Sequence, residues 1–169
     1  MGAVIRALLD APRSVYLMAL AWAVMLGAAG IVATKLDSWY YGLRFPGWKP
    51  PDWLFGPAWT TIFLCAAAAA IIGWTAPGAT PELRRWIVVA WVLNGLLNVL
   101  WSLLFFRMQR PDWALMEVGL LWLSIVAMMF AIGRQSPAAV WLLVPYLVWV
   151  SFASALNRAI VVRNEPFGA

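Results

Sequence analysis

The 169 residues are 64% hydrophobic and 11% charged, with a mean hydropathy of +0.82, which is more apolar surface than a water-soluble domain of this length can hide. The formal charge of +5 and the pI near 10.0 point to anionic lipid head groups and not to nucleic acid, because the basic residues stand singly or in pairs near the ends of apolar runs. Histidine is absent, which excludes histidine-ligated haem, histidine-based zinc and every Ser-His or Cys-His catalytic pair.

The expected class is an all-α integral membrane protein: one multi-pass domain over residues 1–169, with lipid as its main solvent. The single cysteine, Cys65, forms no internal disulfide and gives no metal-site spacing. No catalytic residue, metal ligand or cofactor is assigned.

Five apolar runs approach the roughly 20 residues that a helix needs to cross hydrocarbon. The first covers about 14–34. Arg6, Arg13 and the small residues of GAAG resemble a signal peptide, but the apolar part exceeds the ~7–15 residues of a signal core, so the helix is read as retained. Its Ala19, Ala23, Gly27 and Gly30 make a small-residue face suited to close helix packing and to a dimer contact.

The connection KLDSWYYGLRFPGWKPPDWLFGPAWT is longer than a turn requires, and long ordered connections are disproportionately functional. Pro46, Pro50 and Pro51 stiffen it, and Trp48 and Trp53 are expected to seat it on the mouth of the helix bundle. The second helix is expected over about 56–76, ended by TAPGATPE. Thr80 caps a third over 81–106, with Pro81 in its first turn. Pro111 opens a fourth over 111–132, and the fifth runs over 137–162 with Pro145 removing one hydrogen bond and bending it. Lys and Arg are slightly denser on the side of the long first loop and the C-terminus, which places both in the cytoplasm.

Trp91, Asn94, Asn98, Trp101 and Phe105 recur at spacings of three and four, so they share one helix face. A carboxamide in lipid must be satisfied by protein, and two readings stand: Asn94 and Asn98 staple helices together, or they line a polar part of a cavity. Residue type alone favours the staple. Glu117 is the one carboxylate well inside a span, and no second intramembrane acid exists to exchange a proton with it.

The fifth helix presents Trp141, Pro145, Trp149, Phe152 and Leu156 on a broad aromatic face. Among the 13 tryptophans, Trp22, Trp74 and Trp86 suit an interfacial belt. Trp91, Trp101 and Trp149 lie deeper, where flat walls suit a flat apolar ligand such as a sterol or tetrapyrrole.

The segments WYYGLRFPGWKPPDWLFGPAWT, LNVLWSLLFF followed by DWALMEV, and PYLVWVSFASALN resemble the TspO/MBR family of bacterial tryptophan-rich sensory proteins and the mitochondrial translocator protein. The resemblance spans all five expected helices in the family's order. It implies a five-helix bundle, often a homodimer, with a pocket closed by the loop between helices 1 and 2. It also implies binding of porphyrins, sterols and synthetic benzodiazepine- or isoquinoline-type ligands. Carried over by position, the pocket comprises Ala29 and Val32 of the first helix, Trp48 of the loop, and Phe55, Gly56 and Trp59 of the second helix. Asn98 and Trp101 come from the third, Trp113, Ala114 and Glu117 from the fourth, and Trp149, Ala153 and Leu156 from the fifth. On this ground Asn98 is read as pocket-lining.

Two departures matter. The lysine often found before the loop's first proline is Phe45 here, and Arg158 stands where the sterol-recognition pattern needs a tyrosine. The second argues against cholesterol recognition by that route and favours a bacterial, tetrapyrrole-oriented protein. The leading expectation is a receptor-like, non-enzymatic membrane binding protein for tetrapyrroles, with a sensing, trafficking or regulatory role. The alternatives are light-dependent oxidative degradation of bound porphyrin, a sterol-binding translocator, and a dimeric scaffold.

Overall fold

The computed structural model describes Arg6 and residues 8–167. The chain forms α1 (Arg13–Ala33), a short α2 (Ser38–Gly42), α3 (Phe55–Thr75), α4 (Pro81–Ser102), α5 (Pro111–Gly133), a short α6 (Pro137–Trp141) and α7 (Val144–Asn164). A 3-10 turn, Asp52–Leu54, leads into α3, and α4 continues as a π-helical turn, Leu103–Arg107. These elements give five helical spans long and apolar enough to cross a bilayer, the fifth being α6 and α7 together. The protein is an all-helical, multi-pass integral membrane protein.

Local chemistry explains the breaks. Thr80 Oγ1 accepts from Leu83 N at 3.2 Å ahead of Pro81, and Ser136 Oγ accepts from Ala139 N at 3.3 Å ahead of Pro137; both cap helices whose first residue needs no donor. Gly78 turns the α3–α4 connection at φ 85°, a left-handed conformation that glycine adopts without cost. The fifth span does not simply bend at Pro145. Proline cannot donate to the carbonyl of Trp141, and the helix breaks at Leu142–Leu143, where Leu142 N to Ala139 O (3.2 Å) and Leu143 N to Val140 O (2.9 Å) tighten the chain.

Around the bundle α1 packs on α3 and α4, α4 on α5, and α5 on α7. The tightest approaches use glycine. A β-carbon at Gly73 would lie 2.6 Å from Ile132 Cγ2, and one at Gly95 would lie 3.1 Å from both Leu26 Cδ2 and Trp22 Nε1. The core between the helices is filled by Phe63, Ala66, Leu121, Ile125, Met128 and Ile132, among others.

Polar groups join the same helices. Trp22 Nε1 donates to the Trp91 carbonyl at 2.9 Å, and Trp91 Nε1 donates to the Ala66 carbonyl at 3.0 Å, a ladder from α1 through α4 to α3. Trp22 is therefore buried and bonded, not an interfacial belt residue, because its ring packs against Gly95 of α4. Trp86 does project outward. Asn94 Nδ2 donates to Ser124 Oγ (2.9 Å), the Tyr146 hydroxyl donates to Asn94 Oδ1 (3.0 Å), and Asn98 Nδ2 donates to the Tyr146 oxygen (3.2 Å). This network ties α4, α5 and α7 at mid-depth. Nearer the α5 N-terminus, Asn157 with its amide turned to suit both neighbours donates to Pro111 O (3.0 Å) and accepts from Leu115 N (3.1 Å).

Candidate ligand-binding site

α1 and α3 pack closely at one end, where Val15 and Ile71 share a buried cluster with Tyr16 and Trp74. Towards the long loop a cavity of about 710 Å³ occupies the space between them. Its α1 wall is Ala23, Gly27 and Gly30, continued by Thr34 just past the helix end, with Leu20, Val24 and Ile31 at the rim. Its α3 wall is Phe55, Gly56, Trp59 and Phe63, with Thr60 and Leu64 at the rim. Asn98, Trp101 and Ser102 come from α4, Phe106 from the π-helical turn, and Trp149 and Ala153 from α7.

The wall is mostly apolar and aromatic. Trp59 stacks on Phe63 with ring centroids 5.4 Å apart and meets Trp149 edge-on at 6.4 Å. Phe55 meets Trp149 edge-on at 5.6 Å, and Trp101 stacks on Phe105 at 5.2 Å. Each such pair holds the rings in one orientation and adds about 0.5–1.5 kcal/mol beyond area burial. A β-carbon built at Gly27, Gly30 or Gly56 meets nothing within 4 Å. The small-residue strip of α1, expected to pack against a helix, therefore gives Gly27 and Gly30 to the cavity.

The loop end of the cavity is polar. The Tyr40 hydroxyl donates to Asp52 Oδ1 at 2.7 Å, and Lys49 Nζ donates to the same oxygen at 2.5 Å. Burial, and then the bond to Asp52, push the Tyr40 phenol above its ordinary range, so it stays a donor. Lys49 also sits 4.6 Å from the Phe45 ring centroid, so the loop keeps a cation at this point although Phe45 replaces the lysine expected before the proline. Leu36, Tyr40 and Asp52 are the residues of this segment that reach the cavity wall. Asn164 bonds both Arg44 N (2.8 Å) and Arg44 O (3.1 Å), tying the loop to the end of α7.

Of the residues singled out from sequence, Phe55, Gly56, Trp59, Asn98, Trp101, Trp149 and Ala153 line this cavity. The other seven lie outside its lining. Ala29 and Val32 stand two residues beyond Gly27 and Gly30, roughly 200° around the helix; the Val32 carbonyl instead accepts from the Arg107 guanidinium. Trp48 is half-exposed and rests edge-on against Phe152 at 5.7 Å. Trp113 is exposed beneath the Arg110 guanidinium, 4.2 Å from its ring centroid. Ala114 and Leu156 are buried together with Tyr40 and Phe105. Glu117 is 6% exposed, and neither carboxylate oxygen has a hydrogen-bond partner. Trp53, expected to seat the loop, is 70% exposed.

Sequence reasoning missed Tyr146 and Ser124, which complete the Asn94–Asn98 network, and Tyr40, Asp52, Thr34 and Ser102 at the polar end. A signal existed for Tyr146, which precedes Trp149 by three residues on the same face. None existed for Ser124, a small hydroxyl in an apolar run. Both readings of the asparagines hold at once for Asn98, which bonds Tyr146 and lines the cavity, whereas Asn94 is fully buried within the network.

Indole N–H groups divide in the same way. Those of Trp22, Trp91 and Trp122 have acceptors, the last at Ser151 Oγ (3.0 Å). Those of Trp101 and Trp149 are buried without one. A buried donor left unpaired costs about 1–3 kcal/mol. Among the described residues no cluster of potential metal ligands is present.

The sequence model of the TspO/MBR family matches residues 16–163. The tryptophan-rich protein TspO of Chlorobaculum tepidum is 45% identical over 82% of this chain and 89% of its own, and that of Archaeoglobus fulgidus is 39% identical over 82% and 90%. The translocator protein of Homo sapiens is 33% identical over 75% of each chain. On the family match, these identities and the five apolar helices, the chain belongs to the TspO/MBR family.

Proposed function

We propose that this protein is a membrane binding protein for tetrapyrroles, such as a porphyrin, acting in sensing or trafficking and not as a catalyst. The observation that carries the reading is the aromatic cavity between α1, α3, α4 and α7. Its volume of about 710 Å³ lies inside the roughly 300–1,000 Å³ range of small-molecule sites. Trp59, Trp101 and Trp149 offer flat walls for a flat ring system, and no residue has to move aside at Gly27, Gly30 or Gly56. Ligand carboxylates or ring nitrogens that reach the unpaired indole N–H groups of Trp101 or Trp149 would recover the cost of leaving those donors unsatisfied. The Tyr40–Asp52–Lys49 contacts hold the loop at the polar end of the cavity.

The test is a titration of the purified protein with protoporphyrin IX, followed by quenching of tryptophan fluorescence. Saturable quenching is expected, weakened by Trp149→Leu and unchanged by Trp86→Phe, whose ring lies outside the cavity. Equal affinity in wild type and Trp149→Leu would remove the porphyrin from this site.

A further inference from the structure

The cavity is walled by ring contacts and hydrogen bonds on some sides, and its most exposed apolar lining residues lie between α1 and α3. Towards α7 it is shut by the Phe55–Trp149 and Trp59–Trp149 ring contacts. Towards α4 it is shut by Trp22 bonded to the Trp91 carbonyl, by Leu26 packed on Gly95, and by Arg107 on the Val32 carbonyl. At the loop end Tyr40 and Asp52 are bonded to each other, with Lys49 on the same carboxylate oxygen, while Thr34, Leu36 and Gly56 of the lining are exposed. Between α1 and α3 the lining residues themselves face outward: Val24 is 61%, Ile31 79% and Leu64 52% exposed. All three lie within apolar spans, so what they face is hydrocarbon and not water.

We propose that the cavity opens sideways into the bilayer between α1 and α3, and that its ligand is an amphiphile already dissolved in the lipid. The wall has a matching polarity gradient. Val24, Ile31 and Leu64 form an apolar rim, while Thr34, Tyr40 and Asp52 gather at the loop end. An amphiphile lying in a leaflet has its polar head at the interface and its body in hydrocarbon, so it passes between α1 and α3 without turning over. Gly27 and Gly30 leave the space its apolar body fills. A flat carboxylated ring system fits this description, and so does a lipid with a rigid body. The inference rests on the cavity being a ligand site, but not on which amphiphile occupies it.

The experiment uses the ligand-free full chain in proteoliposomes. In a Cys65→Ala background, Gly27→Cys carries a nitroxide label, and its collision rates with lipid-soluble oxygen and a water-soluble nickel chelate are compared. Val92→Cys, on the outer face of α4, is the lipid-facing reference. Because a β-carbon at Gly27 meets nothing within 4 Å, the substitution leaves the fold intact.

The expected result is an oxygen-to-nickel ratio at Gly27→Cys equal to that at Val92→Cys. Adding Val24→Trp and Leu64→Trp at the rim should lower oxygen collisions at the Gly27→Cys label. A nickel-dominated rate means the cavity opens to water and overturns the proposal. Low rates for both reagents with dipolar broadening between labels mean that a second copy covers the opening; low rates without broadening mean that it is shut. Either overturns the proposal. Failure of protoporphyrin IX to bind leaves this readout unchanged, so the two readings fail separately.

Discussion

Gly27 and Gly30 look like packing glycines in the sequence, and Gly73 does not, yet the structure assigns the roles the other way round. Replacing glycine by alanine inside a helix gains about 0.5–1 kcal/mol from reduced backbone entropy loss. At Gly73 the new methyl would sit 2.6 Å from Ile132 Cγ2 and 3.2 Å from Ile87 Cδ1. Ile132 is fully buried and β-branched, so it is held in one rotamer and cannot swing away. Overpacking of this kind costs about 1–3 kcal/mol, which after the entropic gain leaves a net cost for Gly73→Ala of about 0–2.5 kcal/mol, centred near 1. At Gly27 and Gly30 nothing lies within 4 Å, so the gain stands alone and each alanine should stabilise by about 0.5–1 kcal/mol. Unfolding in mixed micelles of dodecyl maltoside and dodecyl sulfate, followed by circular dichroism, reads the sign directly. If Gly27→Ala and Gly30→Ala destabilise as Gly73→Ala does, the strip packs against protein in the membrane and the cavity wall is wrongly assigned.

Other expectations follow from the polar contacts. Tyr146→Phe removes the hydroxyl that bonds Asn94 and Asn98, leaving buried amide groups unpaired. Unpaired groups cost about 1–3 kcal/mol in a protein interior, and membrane bonds average nearer ~0.6, so a loss of about 1–2 kcal/mol is expected in the same assay. Asp52→Asn weakens the joint hold on Tyr40 and Lys49; hydrogen exchange over residues 36–52 should accelerate while that of α5 stays unchanged.

The spans were legible because hydropathy and proline punctuation are local: Thr80-Pro81, Pro111 and Ser136-Pro137 each mark a helix start by chemistry within three or four residues. The stripe of Trp91, Asn94, Asn98 and Trp101 was legible as one face for the same reason. What that face meets is not local. Asn94 bonds Ser124 and Tyr146, 30 and 52 residues away, and nothing in the spacing of α4 identifies either partner. Trp22 illustrates the same limit, since an indole in an apolar span can be read as a belt residue until the glycine opposite it is known to be Gly95. The loop was legible as stiff and aromatic, but its contacts with the cavity pass through Tyr40 and Asp52, while Trp48 rests on Phe152 and Trp53 faces outward. On α1, the rotation that turns Gly27 inward and Val32 outward depends on where Trp22 and Leu26 dock.

In the proposed function, a flat photosensitising ring lies between Trp59, Trp101 and Trp149. Brief illumination of the protein with protoporphyrin IX in air, followed by peptide mass spectrometry, locates the ring through the tryptophans its singlet oxygen oxidises first. Early oxidation is expected at Trp59, Trp101 and Trp149, ahead of the more exposed Trp53, Trp86 and Trp141. Oxidation that instead follows exposure, with Trp53, Trp86 and Trp141 leading, would contradict it.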